Sequence, residues 1–373
     1  MDLSFNRYGA VMNPKTALLH IGTPKTGTTS IQSYLSESDL TGTLLPYRYP
    51  MFRHDRDHNR LTTLYLAHKD QPGPRHVMFP RDDNRYQRIR TQYRQFLFQA
   101  LRSSKGAILS GEALHRFTPS AIIQFREDLE SLGFEEFLIV LYIRDPADFY
   151  LSLTQSILNL PLQGITAVAD PLSFKYRFRQ ISENYEQVFP GKVIVRCYPR
   201  DAQHDVIDDF SGLLEHYLGI TVPFHSVRLN TTVSAEAMVV MQDYRQSVGI
   251  DKDGLLIPGL DRLVAFLIRS VRRIPQTKPK LKADVAEIIR ANHLEDAEFI
   301  KARYGVDLGL ERSEDTPMIS PRPSWRVEDI VESVDPEIVQ RLRDMFLRAR
   351  LRLLLMDVAK GVYRAVRSKF CPR

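Results

Sequence analysis

The stretch "LLHIGTPKTGTTSIQSYL", residues 18–35, indicates the fold of the N-terminal half of the chain. An apolar run, "ALLHI" at 17–21, predicts a short buried strand, and a turn rich in Gly, Pro and Thr follows from Gly22 to Gly27. The next residues predict a helix, because Ile31 and Leu35 stand four apart. Strand, glycine-rich loop and helix in this order are typical of a phosphate-binding loop, since the backbone N–H groups at a helix start bind anions.

The lysine of this loop is not where a nucleotide-triphosphate loop would have it. That loop reads G-x-x-x-x-G-K-[ST], with lysine directly after the second glycine. Gly22 and Gly27 keep the spacing, but Thr28 follows Gly27, and the nearby lysine is Lys25, inside the loop. A kinase or ATPase needs the lysine beside the β- and γ-phosphates and an acidic metal ligand as well. A P-loop kinase or ATPase therefore remains only an alternative interpretation.

The order of predicted elements gives the fold class. Apolar strands are predicted at 17–21, 107–110, 137–143 and 192–198, with helical patterns between them. Such alternation predicts a parallel sheet between helical layers. We expect a P-loop-like three-layer α/β/α fold with a central, mainly parallel sheet in residues 1–230, and a helical C-terminal extension over 231–373 packing on it.

Composition sets the class of protein. The chain has 373 residues, of which 43% are hydrophobic, and Lys plus Arg exceed Asp plus Glu by 51 − 45 = 6. This modest excess and the lack of a recognition motif give no support for nucleic-acid binding. Two cysteines far apart disfavour a disulfide framework or a zinc site. Neither a signal peptide nor an apolar run long enough for a transmembrane helix is visible, so we expect a cytoplasmic protein.

Two motifs together resemble one enzyme family. "TPKTGTTS" at 23–30 is similar to the P-K-[ST]-G-T-T signature of sulfotransferases that use 3′-phosphoadenosine 5′-phosphosulfate (PAPS). A second motif, "RDPAD" at 144–148, resembles their R-[ND]-P-x-[DE] pattern, with Arg144 ending an apolar strand and Ser152 eight residues later. The likeness covers about residues 15–220 and is closest to bacterial glycan-type sulfotransferases.

The resemblance implies roles for these residues. The donor is PAPS, its product is adenosine 3′,5′-bisphosphate, and no metal is required, because Lys25 supplies the cation beside the bridging oxygen. Arg144 and Ser152 would hold the 3′-phosphate. The residues that would bind the donor in the loop are Lys25, Thr26, Gly27, Thr28, Thr29 and Ser30. The residues that cover the adenine are left open.

The acceptor is expected to be a hydroxyl of a saccharide or glycolipid. The segment "RLNTTVSAEAM" at 228–238 resembles the R-x-N-x-S-x-S segment of glycan sulfotransferases, whereas the R-K-G-x-x-G-D-W-K segment of the cytosolic small-molecule branch has no counterpart here. A non-catalytic nucleotide-binding module is a further alternative, which the retention of Lys25, Arg144 and Ser152 disfavours. The oligomeric state is left open.

The base that would take the acceptor proton is predicted at the end of the second strand. "LSGEALHRF" places Glu112 just past that strand, where glycan sulfotransferases with an S-x-E pattern have a glutamate. The alternative is that Glu112 is not a base and is simply a carboxylate favoured by the dipole at the start of a helix. His115 is the second candidate base, and His20, inside the first strand, is expected in the core. In "HDRDH", His54 and His58 stand four apart, which we interpret as a solvated loop rather than a metal site.

The C-terminal stretch is basic and amphipathic. It reads "LRARLRLLLMDVAKGVYRAVRSK" at 347–369. Most such helices pack on their own domain. Peripheral docking on an anionic membrane surface is the alternative.

Overall fold

The computed structural model describes residues 14–67, 83–160, 168–198, 205–223, 233–247, 259–270, 274, 277–311 and 319–348. Its strands are β1 (Thr16–His20), β2 (Tyr47–Arg48), β3 (Gly106–Ser110), β4 (Glu136–Ile143) and β5 (Val193–Cys197). They form one five-stranded sheet in the order β2-β3-β1-β4-β5, and every pairing is parallel. The predicted α/β class with a central parallel sheet is confirmed.

The described helices alternate with these strands and continue beyond them. In chain order they are α1 (Thr28–Leu40), α2 (Thr62–Tyr65), α3 (Asp83–Ser103), α4 (Pro119–Ser131), α5 (Pro146–Asn159), α6 (Phe178–Val188), α7 (Val206–Leu218), α8 (Ala235–Ser247), α9 (Leu260–Ser270), α10 (Ala283–Ala291), α11 (Leu294–Tyr304), α12 (Val327–Ile330) and α13 (336–348). Two 3₁₀ turns, Asn59–Leu61 and Glu112–Arg116, flank the end of β3.

Helices cover both faces of the sheet, which explains why its strands are apolar throughout. On one face, Leu18 of β1 and Val140 of β4 pack with Ile31 of α1 and Phe210 of α7 in a single buried cluster. On the other face, α4 packs on α6, and α6 packs on β4 and β5. The central strand β1 is therefore enclosed between β3 and β4 and between the helical layers.

The short edge strand β2 was not predicted from the sequence. Tyr47 pairs with Gly106 over only two residues, too few to give a periodic signal. A Cβ at Gly106 would lie 2.5 Å from the Tyr47 ring, so glycine is what lets this ring cross the start of β3. Beyond β2, His58 binds the backbone groups of Ser110 on the outer edge of β3.

The helical pattern expected after the strand at 137–143 is confirmed by α5. Asp145 is the N-cap of α5, and its Oδ1 accepts hydrogen bonds from the backbone N–H of Ala147 at 2.8 Å and Asp148 at 3.0 Å. Pro146 occupies the first helical position, where its missing N–H costs nothing. The Oδ2 atom of the buried Asp145 forms an ion pair with Arg290 of α10 at 2.8 Å.

The chain divides into two compact units. One comprises the described residues of Met1–Arg144, Arg177–Leu229 and Glu295–Gly309, and the other those of Asp145–Tyr176, Asn230–Leu294 and Leu310–Arg373. The sheet belongs to the first unit, and α5, α8 and α10 belong to the second. The division into 1–230 and 231–373 stays a prediction.

The amphipathic C-terminal stretch predicted at 347–369 lies almost wholly outside the described residues, which end at 348. Among the helices that are described, none combines the length and the apolar character needed to cross a membrane.

Candidate active site

Three neighbouring strands bring the predicted site residues of the first unit to one edge of the sheet. The glycine-rich loop follows β1, Glu112 follows β3, and Arg144 follows β4. These strands are adjacent and in register, with His20 opposite Ser110 on one side and Val140 on the other. Because the strands are parallel, their carboxyl ends lie together, where open α/β sheets bind ligands.

The loop after β1 is held by the backbone of β4. Thr23 N–H donates to the Tyr142 carbonyl at 3.0 Å, and Tyr142 N–H donates to the Gly22 carbonyl at 2.8 Å. The Thr26 hydroxyl donates to the Thr23 carbonyl at 2.6 Å, closing the turn internally. Between them Lys25 adopts φ 65°, in the left-handed region that lysine rarely occupies. The fold therefore fixes this unusual position of the lysine.

Gly27 is the N-cap of α1, and the packing beneath it requires a glycine. Its φ is 76°, and a Cβ there would lie 2.6 Å from Val206 Cγ1 and 3.0 Å from Tyr198 Cε2. As N-cap it has no side chain to accept hydrogen bonds from the first turn of α1. The first N–H groups of a helix lack intrahelical partners, so those of Thr28 and Thr29 suit an anion.

Glu112 is the first residue of the 3₁₀ turn after β3 and faces this loop. The Thr28 hydroxyl donates to Glu112 Oε2 at 3.1 Å, and a Cβ on Gly22 would lie 3.0 Å from the Glu112 carbonyl. Burial raises the pKa of the Glu112 carboxyl, and the charge of Asp57 raises it further, whereas the Thr28 hydroxyl and Lys25 act in the opposite direction. A carboxylate with a raised pKa suits a general base near neutral pH.

Lys25 stands between an acid and a cation. Burial lowers the pKa of its ammonium, Glu112 raises it, and Arg144 lowers it again. Within the described part of the chain, the Lys25 ammonium has neither a hydrogen-bond acceptor nor an ion-pair partner in reach. A half-buried ammonium without such a partner is suited to an anionic ligand.

Arg144 lies over the loop from the other side. Its Nη1 donates to the Lys25 carbonyl at 2.9 Å, and its guanidinium carbon is 5.3 Å from the centroid of the Tyr198 ring. Ser152, its predicted partner, lies on α5, which belongs to the second unit. The structure therefore brings Lys25, Thr28 and Glu112 together with Arg144. Ser152 is part of the second unit. Of the remaining loop residues, Thr29 is exposed and Ser30 is half-buried.

The two other histidines considered in this region each contact a neighbouring residue through Nδ1. His115 Nδ1 contacts the Glu112 carbonyl, and burial lowers the pKa of His115 to about 4. His20 is fully buried as predicted, with Nδ1 2.7 Å from the Ser110 hydroxyl, and burial lowers its pKa to about 3. Both imidazoles are neutral at neutral pH.

His58 is a residue whose place the sequence reasoning missed. The solvated-loop interpretation is wrong for it, because His58 is only 1% exposed. Its N–H donates to the Ser110 carbonyl at 2.8 Å, its Nδ1 accepts from Ser110 N–H at 3.1 Å, and its Nε2 is 2.9 Å from the Pro50 carbonyl. His58 thus satisfies the outer edge of β3 beyond the end of β2. In the ranges that the structure describes, no group of three or more His, Cys, Asp or Glu side chains could hold a metal ion.

Comparisons with known proteins give only distant likenesses. No protein-family model matches the chain, and no curated protein matches it significantly. Five chains of solved structures match. A sulfotransferase from Alicyclobacillus acidocaldarius is 17% identical, with 58% of this chain and 87% of that chain covered and a TM-score of 0.37.

Two further matches are sulfotransferase domains of biosynthetic proteins. One is from the Synechococcus PCC 7002 olefin synthase, with 13% identity, coverage of 74% of this chain and 94% of that chain, and a TM-score of 0.28. The other is from the curacin biosynthetic pathway, with 14% identity, coverage of 76% and 98%, and a TM-score of 0.27. TM-scores this low do not establish a shared fold or function.

Proposed function

We propose that this protein is a sulfotransferase that moves a sulfuryl group from PAPS to a hydroxyl of a saccharide or glycolipid. The observation that carries the proposal is the convergence of an ammonium, a carboxylate and a guanidinium at one edge of the sheet. Lys25, Glu112 and Arg144 come from three neighbouring strand ends and lie around a glycine-rich loop.

The loop offers what a phosphosulfate group needs. Backbone N–H groups at the start of α1 and the hydroxyls beside them can bind its anionic oxygens. Gly27 supplies the left-handed conformation from which α1 begins, with its N–H groups turned to the loop's end of the helix. The Lys25 ammonium, which has no described protein partner, is available for the oxygen that bridges phosphorus and sulfur. In this proposal the lysine supplies the positive charge, and no metal is invoked.

Glu112 is proposed as the general base. As the acceptor oxygen forms its bond to sulfur and the bond from sulfur to the bridging oxygen breaks, the acceptor proton would pass to the Glu112 carboxylate. Such proton transfer contributes about 10²–10⁴ in rate. The Thr28 hydroxyl, 3.1 Å from Oε2, orients this carboxylate and links it to the donor loop.

Arg144 is proposed to bind the 3′-phosphate that distinguishes this donor from ATP. A unit charge pair at 4 Å near a protein surface is worth about 4 kcal/mol, enough to select the donor. The Tyr198 ring beside the guanidinium would limit its movement. The part assigned to Ser152 stays a prediction from the sequence, as does the saccharide or glycolipid acceptor.

The decisive test measures the two nucleotides separately from turnover. In isothermal titration calorimetry we expect adenosine 3′,5′-bisphosphate to bind and ATP with Mg²⁺ to bind much more weakly. Arg144→Ala should abolish this preference, and Arg126→Ala is a matched control, because Arg126 lies on α4 and pairs with Glu130. Tight ATP binding with no response to the bisphosphate would refute the donor.

The acceptor class is tested with ³⁵S-labelled PAPS and a panel of capsular saccharides, glycolipids, phenols and steroids. We expect label on a saccharide or glycolipid. Transfer to phenols alone would contradict the acceptor class and leave the donor assignment intact. Magnesium-dependent ATP hydrolysis would instead favour a kinase or ATPase.

A further inference from the structure

The turn that carries Glu112 begins without a side-chain cap of its own. Gly111 is the N-cap of this 3₁₀ turn, and glycine has no side chain that could accept a hydrogen bond from the first turn. A Cβ on Gly111 would lie 3.1 Å from the His58 carbonyl carbon and 3.2 Å from its oxygen, so the neighbouring backbone disfavours a capping side chain at this position. The first N–H groups of the turn therefore need an acceptor from elsewhere in the chain.

Asn59 supplies such an acceptor from a distant segment. Its side-chain oxygen accepts a hydrogen bond from Ala113 N–H at 2.8 Å. Because Ala113 directly follows Glu112, this bond fixes the peptide plane on the carboxyl side of Glu112. Asn59 is itself held in place, since its N–H donates to Asp57 Oδ1 at 2.8 Å and its carbonyl accepts from the Thr62 hydroxyl at 2.7 Å.

The chain before Glu112 is fixed by the sheet. Gly111 N–H donates to the His20 carbonyl at 3.0 Å, and the Ser110 carbonyl accepts from His58 N–H at 2.8 Å. These bonds join backbone groups, so a change of side chain does not remove them. The bond from Ala113 to Asn59, in contrast, depends on one side-chain oxygen. The carboxyl side of Glu112 is therefore the side on which a single substitution can release the backbone.

A small shift of this backbone matters because Glu112 meets the glycine-rich loop at close range. The Thr28 hydroxyl is 3.1 Å from Glu112 Oε2. A Cβ on Gly22 would lie 3.1 Å from the Glu112 Cα, so the loop backbone packs directly on this residue. Rotation of the peptide plane after Glu112 would change the direction of its side chain. A misplacement of about 1 Å in a reacting group costs about 10² in rate.

We propose that Asn59 is a positioning residue for Glu112: its side-chain oxygen holds Ala113 N–H and thereby keeps the Glu112 carboxylate beside the Thr28 hydroxyl. Asn59 acts through Glu112 and touches neither the donor nor the acceptor. The inference rests on the proposed function for the role of Glu112 as the base. The hydrogen bond itself can be measured without any substrate.

The hydrogen bond is tested by amide hydrogen exchange, followed by NMR, in the unsubstituted protein and in three variants. Asn59→Ala removes the side-chain oxygen, and Asn59→Leu removes it at nearly unchanged volume, so either variant serves if the other does not fold. In both we expect faster exchange of Ala113 N–H, whereas Gly111 N–H, bonded to the His20 carbonyl, should keep its rate. Asn59→Asp retains an acceptor oxygen and should keep Ala113 protected. Equal exchange of Ala113 in all four proteins would overturn the inference.

Turnover separates positioning from a merely structural role. With labelled PAPS and an acceptor from the panel, Asn59→Ala should lower kcat by about 10–100-fold and leave the Kd of adenosine 3′,5′-bisphosphate unchanged. Asn59→Asp should recover most of this loss on the alkaline plateau of the pH–rate profile, where its added charge does not affect the ionisation of Glu112. The matched control is Thr118→Ala, which removes a hydrogen bond from Ala121 N–H at the start of α4 and should keep kcat.

A double variant shows through which residue Asn59 acts. If Asn59 acts through Glu112, Asn59→Ala combined with Glu112→Gln should have the kcat of Glu112→Gln alone, because no base is left to misplace. A loss in the double variant equal to the product of the two single losses would show general damage to the site and overturn the inference.

The positioning role and the proposed function can fail separately. Label transfer by the unsubstituted protein, with an undiminished kcat in Asn59→Ala and Asn59→Leu, would refute the positioning role and leave the function standing. If the unsubstituted protein neither binds the bisphosphate nor transfers label, the function is refuted, and the role of Glu112 as base falls with it, even where Ala113 loses its protection in Asn59→Ala.

Discussion

Two substitutions of Lys25 distinguish the effect of its positive charge on turnover from the effect of its backbone conformation on stability. Lys25 has φ 65°, where an L side chain costs about 1–2 kcal/mol. Lys25→Ala removes the ammonium and keeps the Cβ, whereas Lys25→Gly removes both. The two variants lose the same charge and the same buried alkyl chain, so any difference in stability between them reports the backbone conformation.

The magnitudes follow from this geometry. Glycine relieves about 1–2 kcal/mol of left-handed strain, and its greater freedom in the unfolded chain offsets about 0.5–1 kcal/mol of that gain. We therefore expect Lys25→Gly to exceed Lys25→Ala in free energy of unfolding by about 0.5–1 kcal/mol. A lost cation 4 Å from an anionic oxygen near a surface is worth about 4 kcal/mol, which corresponds to about 10³ in rate. Both variants should lose that factor.

The assays are urea unfolding followed by circular dichroism, and transfer of ³⁵S from labelled PAPS. Lys105→Ala and Lys105→Gly form a matched control pair, because Lys105 is exposed and does not have the positive φ of Lys25. There glycine should be the less stable variant. Equal stability of the two Lys25 variants would refute the strain argument, and turnover of Lys25→Ala within tenfold of the unsubstituted protein would refute the role of the charge.

Three further outcomes follow from the site. Gly27→Ala should lower the free energy of unfolding by about 2–5 kcal/mol, from left-handed strain and from overpacking, since its Cβ would lie 2.6 Å from Val206 Cγ1; a loss below 1 kcal/mol in urea unfolding would contradict the packing. Glu112→Gln should raise Tm at pH 7–8 and leave it unchanged near pH 4. Burial raises the pKa of folded Glu112, and the stability that the protonated form contributes is lost as pH rises through that value. A Tm gain confined to acid pH would contradict this direction of the pKa shift. His58→Ala leaves the buried Ser110 N–H without its imidazole acceptor and should cost about 1–3 kcal/mol, whereas an unchanged urea midpoint would show that water replaces the imidazole.

Some features of the fold were readable from the sequence because they depend on neighbours in the chain. The apolar runs that became β1, β3, β4 and β5 and the helix after each of them carry local periodicity. Asp145 and Pro146 mark a helix start through groups within three residues of each other. The loop from Gly22 to Gly27 was recognisable for the same reason, since its glycines and its lysine lie within one turn of chain.

The predicted site was readable only in part. The side-chain contact between Thr28 and Glu112 joins residues 84 positions apart, and that between Arg144 and the Lys25 carbonyl joins residues 119 apart. Motif spacing could name these residues but could not place them together. The order β3-β1-β4 does so, because it aligns three strand ends at one edge of the sheet.

The setting of Glu112 was decided by the tertiary structure alone. His58 and Asn59 lie in a mixed-charge stretch that carries no periodic signal, yet they satisfy backbone groups on either side of Glu112. A strand edge left uncovered by the two-residue β2 has buried N–H and carbonyl groups that need partners. The sequence by itself determined the elements and the residue types of the site, whereas this need for distant partners determined which residues surround the carboxylate.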